Sequence, residues 1–285
     1  MDKTLVEGLV RRVAAGAEVV NTPCAEGEMK FRRWNRGGGD IVVLLHGGSG
    51  SWTHWIANIE PLSAQFDVVA MDLPGLGESA ALPEGYSAAD AARWTAEGLR
   101  RVIGDARFHL VCFSWGCTVG ATLAPGFGDK VRSMMLTGPA ALGDILRRPQ
   151  MQPLLRRNRG MTEAQIFETN RENLARLMIH DRQRIDDLAV WLQTENTNRS
   201  RFNSPQFARS SLVLDGLRQV SAPLYVVYGE FDAPAYPNFE IREQRLREVR
   251  PDLTFEIIDG GGHWVQYELA DVFNRKCIDW ILANT

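Results

Sequence analysis

The chain has 285 residues, a net charge of −3, 45% hydrophobic and 24% charged residues. That balance excludes collagen-like and wholly disordered chains, and the length suits one large domain or one domain carrying an insertion. Aliphatic runs such as Ile41 to Leu45 are too short to span a bilayer, and dispersed charges with a pI near 6 exclude a nucleic-acid footprint.

Residues 4–15 read as a leading helix in which Glu7, Arg11 and Arg12 interrupt the apolar stretch. No signal peptide is readable there, so a cytoplasmic location is expected. Residues 27–35 read as a strand, followed by a turn signal at Arg36-Gly-Gly-Gly-Asp40. Asp40 to Leu45 and Phe66 to Met71 are continuous apolar runs of the kind buried on both faces of a parallel sheet. A helix is predicted over 87–103, with Ser87 and Asp90 at capping-box spacing and apolar residues at helical intervals. Then follow strand 109–113, a helix from Ser114, and strand 131–137. Strand 223–228, helix 238–249, strand 254–258 and helix 269–282 close the chain. Strands alternating with helices imply right-handed βαβ units and a mostly parallel sheet.

The alternation fails between 140 and 218. That stretch is helical in pattern and holds 13 Arg, no Lys and 9 acids, a net charge of +4 against −7 for the remainder. The expected organisation is a core of 1–139 and 219–285 with a helical insertion at 140–218. Cys24, Cys112, Cys117 and Cys277 form no CxxC pair and have no histidine at zinc-ligand spacing, so free buried thiols are expected and no metal site.

Three segments carry chemistry. In Cys112-Phe-Ser-Trp-Gly116 a serine stands where a buried strand gives way to a helix, the setting of the G-x-S-x-G elbow. Cys112 replaces the first glycine, and Cys117 follows where glycine is frequent; both are small enough for the turn. His46-Gly-Gly-Ser-Gly-Ser-Trp52 directly follows a buried strand, and such a loop can aim a backbone N–H at a developing oxyanion. Gly48 is the candidate loop donor, and Trp115, next after the serine, the candidate second donor. Neither phosphate-binding glycine pattern, G-x-x-x-x-G-K-[ST] or G-x-G-x-x-G, is present. Finally, Gly229-Glu-Phe-Asp232 and Gly260-Gly-Gly-His-Trp264 each follow an apolar strand. Residues just past parallel strands converge on one sheet edge, which would gather Ser114, Asp232 and His263. A hydroxyl needs a base to take its proton, and the base needs an acid to fix its tautomer. Glu230 is the rival acid, but Asp232 fits the G-x-x-D spacing better. His54, His109 and His180 read as packing or surface residues.

Loop, elbow, acid and histidine together resemble the α/β-hydrolase-fold serine hydrolases over about 40–140 and 219–285, and Asp72-Leu-Pro-Gly-Leu-Gly-Glu-Ser79 is similar to that family's D-x-P-G-x-G-x-S stretch. The resemblance implies a cofactor-independent enzyme, with 140–218 in the place of the variable cap and His46 as a structural histidine. Ser114 argues against the epoxide hydrolases and haloalkane dehalogenases, whose nucleophile is Asp. His263-Trp-Val-Gln-Tyr-Glu268 is similar to the C-terminal motif of meta-cleavage-product hydrolases, which cut C–C bonds in 2-hydroxy-6-oxo-dienoates; Arg201-Phe202 matches their cap arginine and aromatic. Phe113, however, stands where they usually have Asn and is closer to esterases and cofactor-free perhydrolases. The first expectation is therefore hydrolysis of a small ester-like or carbonyl substrate, with C–C hydrolysis second and a non-catalytic ligand receptor third. Phe113 and Trp264 are the candidate pocket residues, with a core position the equal alternative for Trp264; Arg201 is the first candidate to bind a substrate carboxylate through a bidentate guanidinium, against a place on a solvated helix face. The expected partner is a small molecule, acidic in this reading; self-association into a homo-oligomer is left open.

Overall fold

The computed structural model describes residues 3–35, 39–145 and 151–285. Most of the expected turn at 36–40, and Arg147 and Arg148 of the expected insertion, lie outside the described residues. The elements run α1 (Lys3–Ala15), β1 (Glu18–Cys24), β2 (Gly27–Trp34), β3 (Ile41–Leu45), α2 (Ile59–Ser63), β4 (Asp67–Met71), α3 (Ala88–Ile103), β5 (Phe108–Phe113), α4 (Trp115–Leu123) and β6 (Val131–Thr137). After β6 come α5 (Glu163–Leu177), α6 (Asp187–Asn198) and α7 (Leu212–Leu217). The chain closes with β7 (Leu224–Gly229), α8 (Phe239–Val249), β8 (Thr254–Ile258), α9 (Val265–Glu268) and α10 (Ala270–Ala283).

The strands form one eight-stranded sheet in the order β1-β2-β4-β3-β5-β6-β7-β8. β1, β2 and β4 pair antiparallel, whereas β4 through β8 pair parallel. Strands buried on both faces need apolar residues at every position, which β3, β4 and β5 largely supply. Their side chains alternate between two cores. Val43, Leu45, Leu110 and Cys112 join Leu99 of α3, Val119 of α4 and Leu246 of α8 on one face. Val42, Leu44, Val111 and Phe113 join Trp55, Phe273 of α10 and Val190 of α6 on the other.

The helix at 88–103 starts on the expected capping box: Ser87 Oγ accepts the Asp90 N–H, and the Asp90 carboxylate accepts the Ser87 N–H. β1 was not foreseen from the pattern. It is an edge strand, exposed along most of its length and carrying Pro23, so it lacks the alternation that marks a half-buried strand. The stretch between β6 and β7 contains no strand among the described residues. Within it α5 and α6 pack on each other, with Asn170 Nδ2 donating to Thr194 Oγ1 at 2.8 Å. α7 instead packs on α4, so closely that a Cβ on Gly216 would stand 2.1 Å from the Ala121 carbonyl oxygen. Among the described residues no helix is long and apolar enough to cross a membrane.

The chain leaves β3 toward β4 on one side and reaches β5 on the other. This topological switch opens a crevice at the carboxyl ends of β3 and β5, where the loop from His46 and the turn at Ser114 lie.

Candidate active site

Ser114 joins β5 to α4 with φ +50° and ψ −113°, a conformation few non-glycine residues adopt. Its N–H donates to the Thr137 carbonyl at 2.9 Å, which ties the turn to β6. The turn is tight: a Cβ on Gly116 would sit 2.4 Å from the Leu45 carbonyl oxygen. Cys112 fits where the elbow pattern has glycine because Gly120 leaves room opposite, its absent Cβ falling 2.4 Å from the Cys112 sulfur. All four cysteines are free and buried. Burial pushes the Cys112 and Cys117 thiols well up, so neither is a thiolate competing with the serine.

The structure brings the three expected residues together. His263, in the loop between β8 and α9, has Nε2 3.0 Å from Ser114 Oγ and Nδ1 2.8 Å from Asp232 Oδ2. Asp232 follows β7; its other oxygen accepts the Ala235 N–H at 3.1 Å. With Nδ1 donating to the carboxylate, Nε2 is left to accept the serine proton. Gly138 lies against this pair: at φ +58° it would carry a Cβ 2.9 Å from both Asp232 Oδ2 and His263 Cε1. Glu230 is held elsewhere, accepting the Gly260 N–H at 2.9 Å.

The loop after β3 lies on the serine turn. A Cβ on Gly47 would meet the Phe113 ring at 2.9 Å and Ser114 Cβ at 3.3 Å; one on Gly48 would be 3.8 Å from Trp115 Cβ. His46 braces the loop, accepting the Leu73 N–H on Nε2 at 2.9 Å, and His54 accepts the Gly47 N–H on Nδ1 at 3.2 Å. Burial lowers the pKa of both imidazoles, which keeps them neutral and able to accept. The Trp115 N–H is the first of a helix and so has no intrahelical acceptor.

The three expected substrate-binding residues are placed differently. Phe113 is 1% exposed and packs beneath the His263 ring, 5.0 Å between centroids, because its side chain falls on the core face of β5. Trp264 is also 1% exposed; it donates to the His54 carbonyl and stacks on Tyr267. Both are packing residues. Arg201 lies over the Asp72–Ser79 loop, where Nη2 donates to the Gly77 and Ser79 carbonyls at 3.3 and 2.5 Å. Its guanidinium is thus committed to main chain. The neighbouring Phe202 is buried against the Trp115 ring, 4.9 Å between centroids.

Glu268 has a structural part that residue spacing did not assign. Its buried carboxylate accepts three N–H groups, from Gly262 (2.7 Å), Asp181 (2.7 Å) and His180 (3.2 Å). It thereby joins the histidine loop to the segment after α5, as does the Trp264 N–H bonded to the Met178 carbonyl at 2.7 Å. A cleft of about 270 Å³ opens beside this junction, lined by His180, Phe231, Ala233 and Tyr236; neither Ser114 nor His263 lines it. Among the described residues no three His, Cys, Asp or Glu side chains gather as metal ligands.

Residues 42–276 match the model of the alpha/beta hydrolase family. The chain belongs to the alpha/beta hydrolase family. This hydrolase is 26% identical over 262 residues to a 2-hydroxy-6-oxo-6-phenylhexa-2,4-dienoate hydrolase of Burkholderia cepacia, covering 87% of this chain and 89% of that one. Its fold matches a solved aryl esterase of Burkholderia cenocepacia with a TM-score of 0.77 at 20% identity, over 94% of this chain and 99% of the other. It also matches a meta-cleavage product hydrolase of Pseudomonas fluorescens with a TM-score of 0.70 at 22% identity, over 90% and 96% of the two chains. The hydrolase therefore shares one architecture with proteins named an aryl esterase and a meta-cleavage product hydrolase, and likeness of fold does not choose a substrate.

Proposed function

We propose that this hydrolase cleaves small ester-like or carbonyl substrates through Ser114, His263 and Asp232. The observation carrying this reading is the unbroken hydrogen-bond chain from Ser114 Oγ through the imidazole to Asp232, at 3.0 and 2.8 Å, on a serine held at positive φ. In the acylation step His263 Nε2 takes the Ser114 proton as Oγ attacks the carbonyl carbon. The oxyanion is held by the Gly48 and Trp115 N–H groups. Collapse breaks the bond to the leaving alcohol, which receives the proton from His263. Water then adds to the acyl-enzyme with His263 again as base; collapse breaks the bond to Ser114 Oγ, which takes the proton back from His263, and the acid leaves. Asp232 keeps Nδ1 protonated and stabilises the imidazolium throughout. Two N–H donors of this kind are each worth roughly 10²–10³ in rate.

The second reading is C–C hydrolysis of a 2-hydroxy-6-oxo-dienoate, supported by the names of the relatives. Two features favour the ester reading: Phe113 stands before the nucleophile, and the Arg201 guanidinium is bonded to loop carbonyls. A small-molecule substrate is common to both. In either case 140–218 stands in the place of a helical cap, and its last helix, α7, packs on α4. Parallel assays with p-nitrophenyl esters and a coloured dienoate, on the parent and on Ser114→Ala, test the proposal. Ester turnover falling by about 10⁴-fold or more in the variant is expected. Near-normal ester turnover without the hydroxyl would refute it, and turnover of the dienoate alone would favour the second reading.

A further inference from the structure

Residues 199–207, between α6 and α7, form a strap across the loop that follows β3. It is fastened on both sides of the crevice. The Arg201 N–H donates to the Gly75 carbonyl at 2.8 Å, beside the guanidinium bonds to Gly77 and Ser79. The Asn203 N–H donates to Tyr86 Oη at 2.8 Å, and Phe202 stacks on the Tyr86 ring at 4.4 Å. Phe207 stacks on Trp115, 5.3 Å between centroids, and the Ser200 and Ser49 hydroxyls lie 3.3 Å apart.

Ser204 sits between these fastenings, at the head of a short 3-10 turn (Ser204–Phe207). Its hydroxyl oxygen stands 2.0 Å from the point where a Cβ on Gly48 would be, and its Cβ 3.2 Å from that point. A Cα–Cβ bond is about 1.5 Å, so the hydroxyl is within roughly 3.5 Å of the Gly48 Cα. Gly48 has no side chain, and the hydroxyl occupies that space. The side chain is half-buried, and among the described residues its hydroxyl makes no hydrogen bond to protein. That hydroxyl, not bonded to any described protein group, stands against the glycine whose N–H is one of the two proposed oxyanion donors.

We infer that Ser204 is a third donor to the substrate carbonyl oxygen, delivered by the strap to the seat formed by Gly48 and Trp115. This rests on the serine-hydrolase reading above and extends it. The hydroxyl bond strengthens as the carbonyl oxygen takes on charge, so it acts on turnover rather than on ground-state binding. It also makes the strap part of the reaction site: a substrate must place its carbonyl oxygen beneath Ser204, at the Gly48 and Trp115 N–H groups.

The test compares the parent with Ser204→Ala, Ser204→Thr and Ser200→Ala. Steady-state hydrolysis of p-nitrophenyl acetate and the second-order rate of fluorophosphonate labelling are both measured. A hydrogen bond to a charged group corresponds to about a ten- to hundredfold change in rate. Ser204→Ala should lower kcat by that factor with KM nearly constant, and slow labelling in parallel. Ser204→Thr should restore most of the rate, and Ser200→Ala should change it by less than about threefold, since a surface-loop hydroxyl pair contributes little. If Ser204→Ala labels and turns over like the parent, this inference alone is overturned. Equal losses in Ser204→Ala and Ser204→Thr, or in Ser200→Ala, would make the segment purely structural and also overturn it. An unreactive parent would bring down the serine-hydrolase reading, and the inference with it.

Discussion

The guanidinium of Arg201 and the carbonyl oxygen of Ser79 are 2.5 Å apart, and that bond clamps the strap at 199–207 onto the loop after β4. The residue anticipated as a binder of acidic substrates thus holds one part of the protein to another. Arg201→Ala is expected to lower kcat/KM for neutral and anionic esters alike, by about three- to tenfold, because the strap loses an anchor of ordinary hydrogen-bond strength. Paired kinetics with p-nitrophenyl acetate and a succinate half-ester check this. A penalty confined to the anionic ester would restore the carboxylate-binding role.

Gly138 is the tightest constraint beneath the Asp232–His263 pair. Alanine there meets positive φ, about 1–2 kcal/mol for an L residue, and places a methyl 2.9 Å from both partners. Gly138→Ala should cost a few degrees in Tm and lower kcat by roughly a hundredfold, as misplacement of a reacting group does. Thermal melts and ester kinetics would show it, and unchanged turnover would mean that the imidazole has freedom the packing denies.

Glu268 collects three N–H donors on two oxygens. In Glu268→Gln one oxygen becomes an amide that faces donors and cannot accept them. Leaving such groups unmatched costs about 1–3 kcal/mol. For a chain of this size the Tm should fall by roughly 3–10 °C. A melt indistinguishable from the parent would remove Glu268 from the account of how the histidine loop is held.

Acid sensitivity should trace to buried imidazoles. Burial lowers His109 to about 4, while in the unfolded chain it takes up a proton near pH 6.5. Between those values the unfolded state binds more protons than the folded one. Stability therefore falls as pH drops from about 6.5 toward 4. His109, 2.9 Å from Ser133 Oγ between β5 and β6, lies away from the site and can be changed without touching it. His109→Asn should shrink the loss of Tm between pH 6.5 and pH 4.5; an equal loss in both proteins would count against this origin.

The parallel core was legible because strands such as Val42–Leu45 and Leu110–Phe113 lack polar residues, and only burial on both faces permits that. Ser114, Asp232 and His263 were legible because each follows such a strand, and parallel strands end on one edge. What lies across the crevice was not. Arg201 finds its partners among main-chain oxygens more than 120 residues earlier, and a carbonyl leaves no mark on residue type. Phe113 and Trp264 are both buried beside the histidine, and composition alone could not choose between core and pocket for an aromatic there. Ser204 is one hydroxyl in a polar connecting stretch, and only the space above Gly48 distinguishes it.

Seen end to end, the helical layer works as a calliper. The segment after α5 grips the histidine loop through Glu268 and the Trp264–Met178 bond, and Asn196 in α6 grips the loop after β3 through Ser51 and Thr53. The two jaws are joined by Asn170 and Thr194. Their spacing is set by how α5 lies on α6. Evolution or engineering that reshapes this layer also resets the gap between the His263 imidazole and the loop after β3, so changes made for a new substrate carry through to the spacing of those two groups.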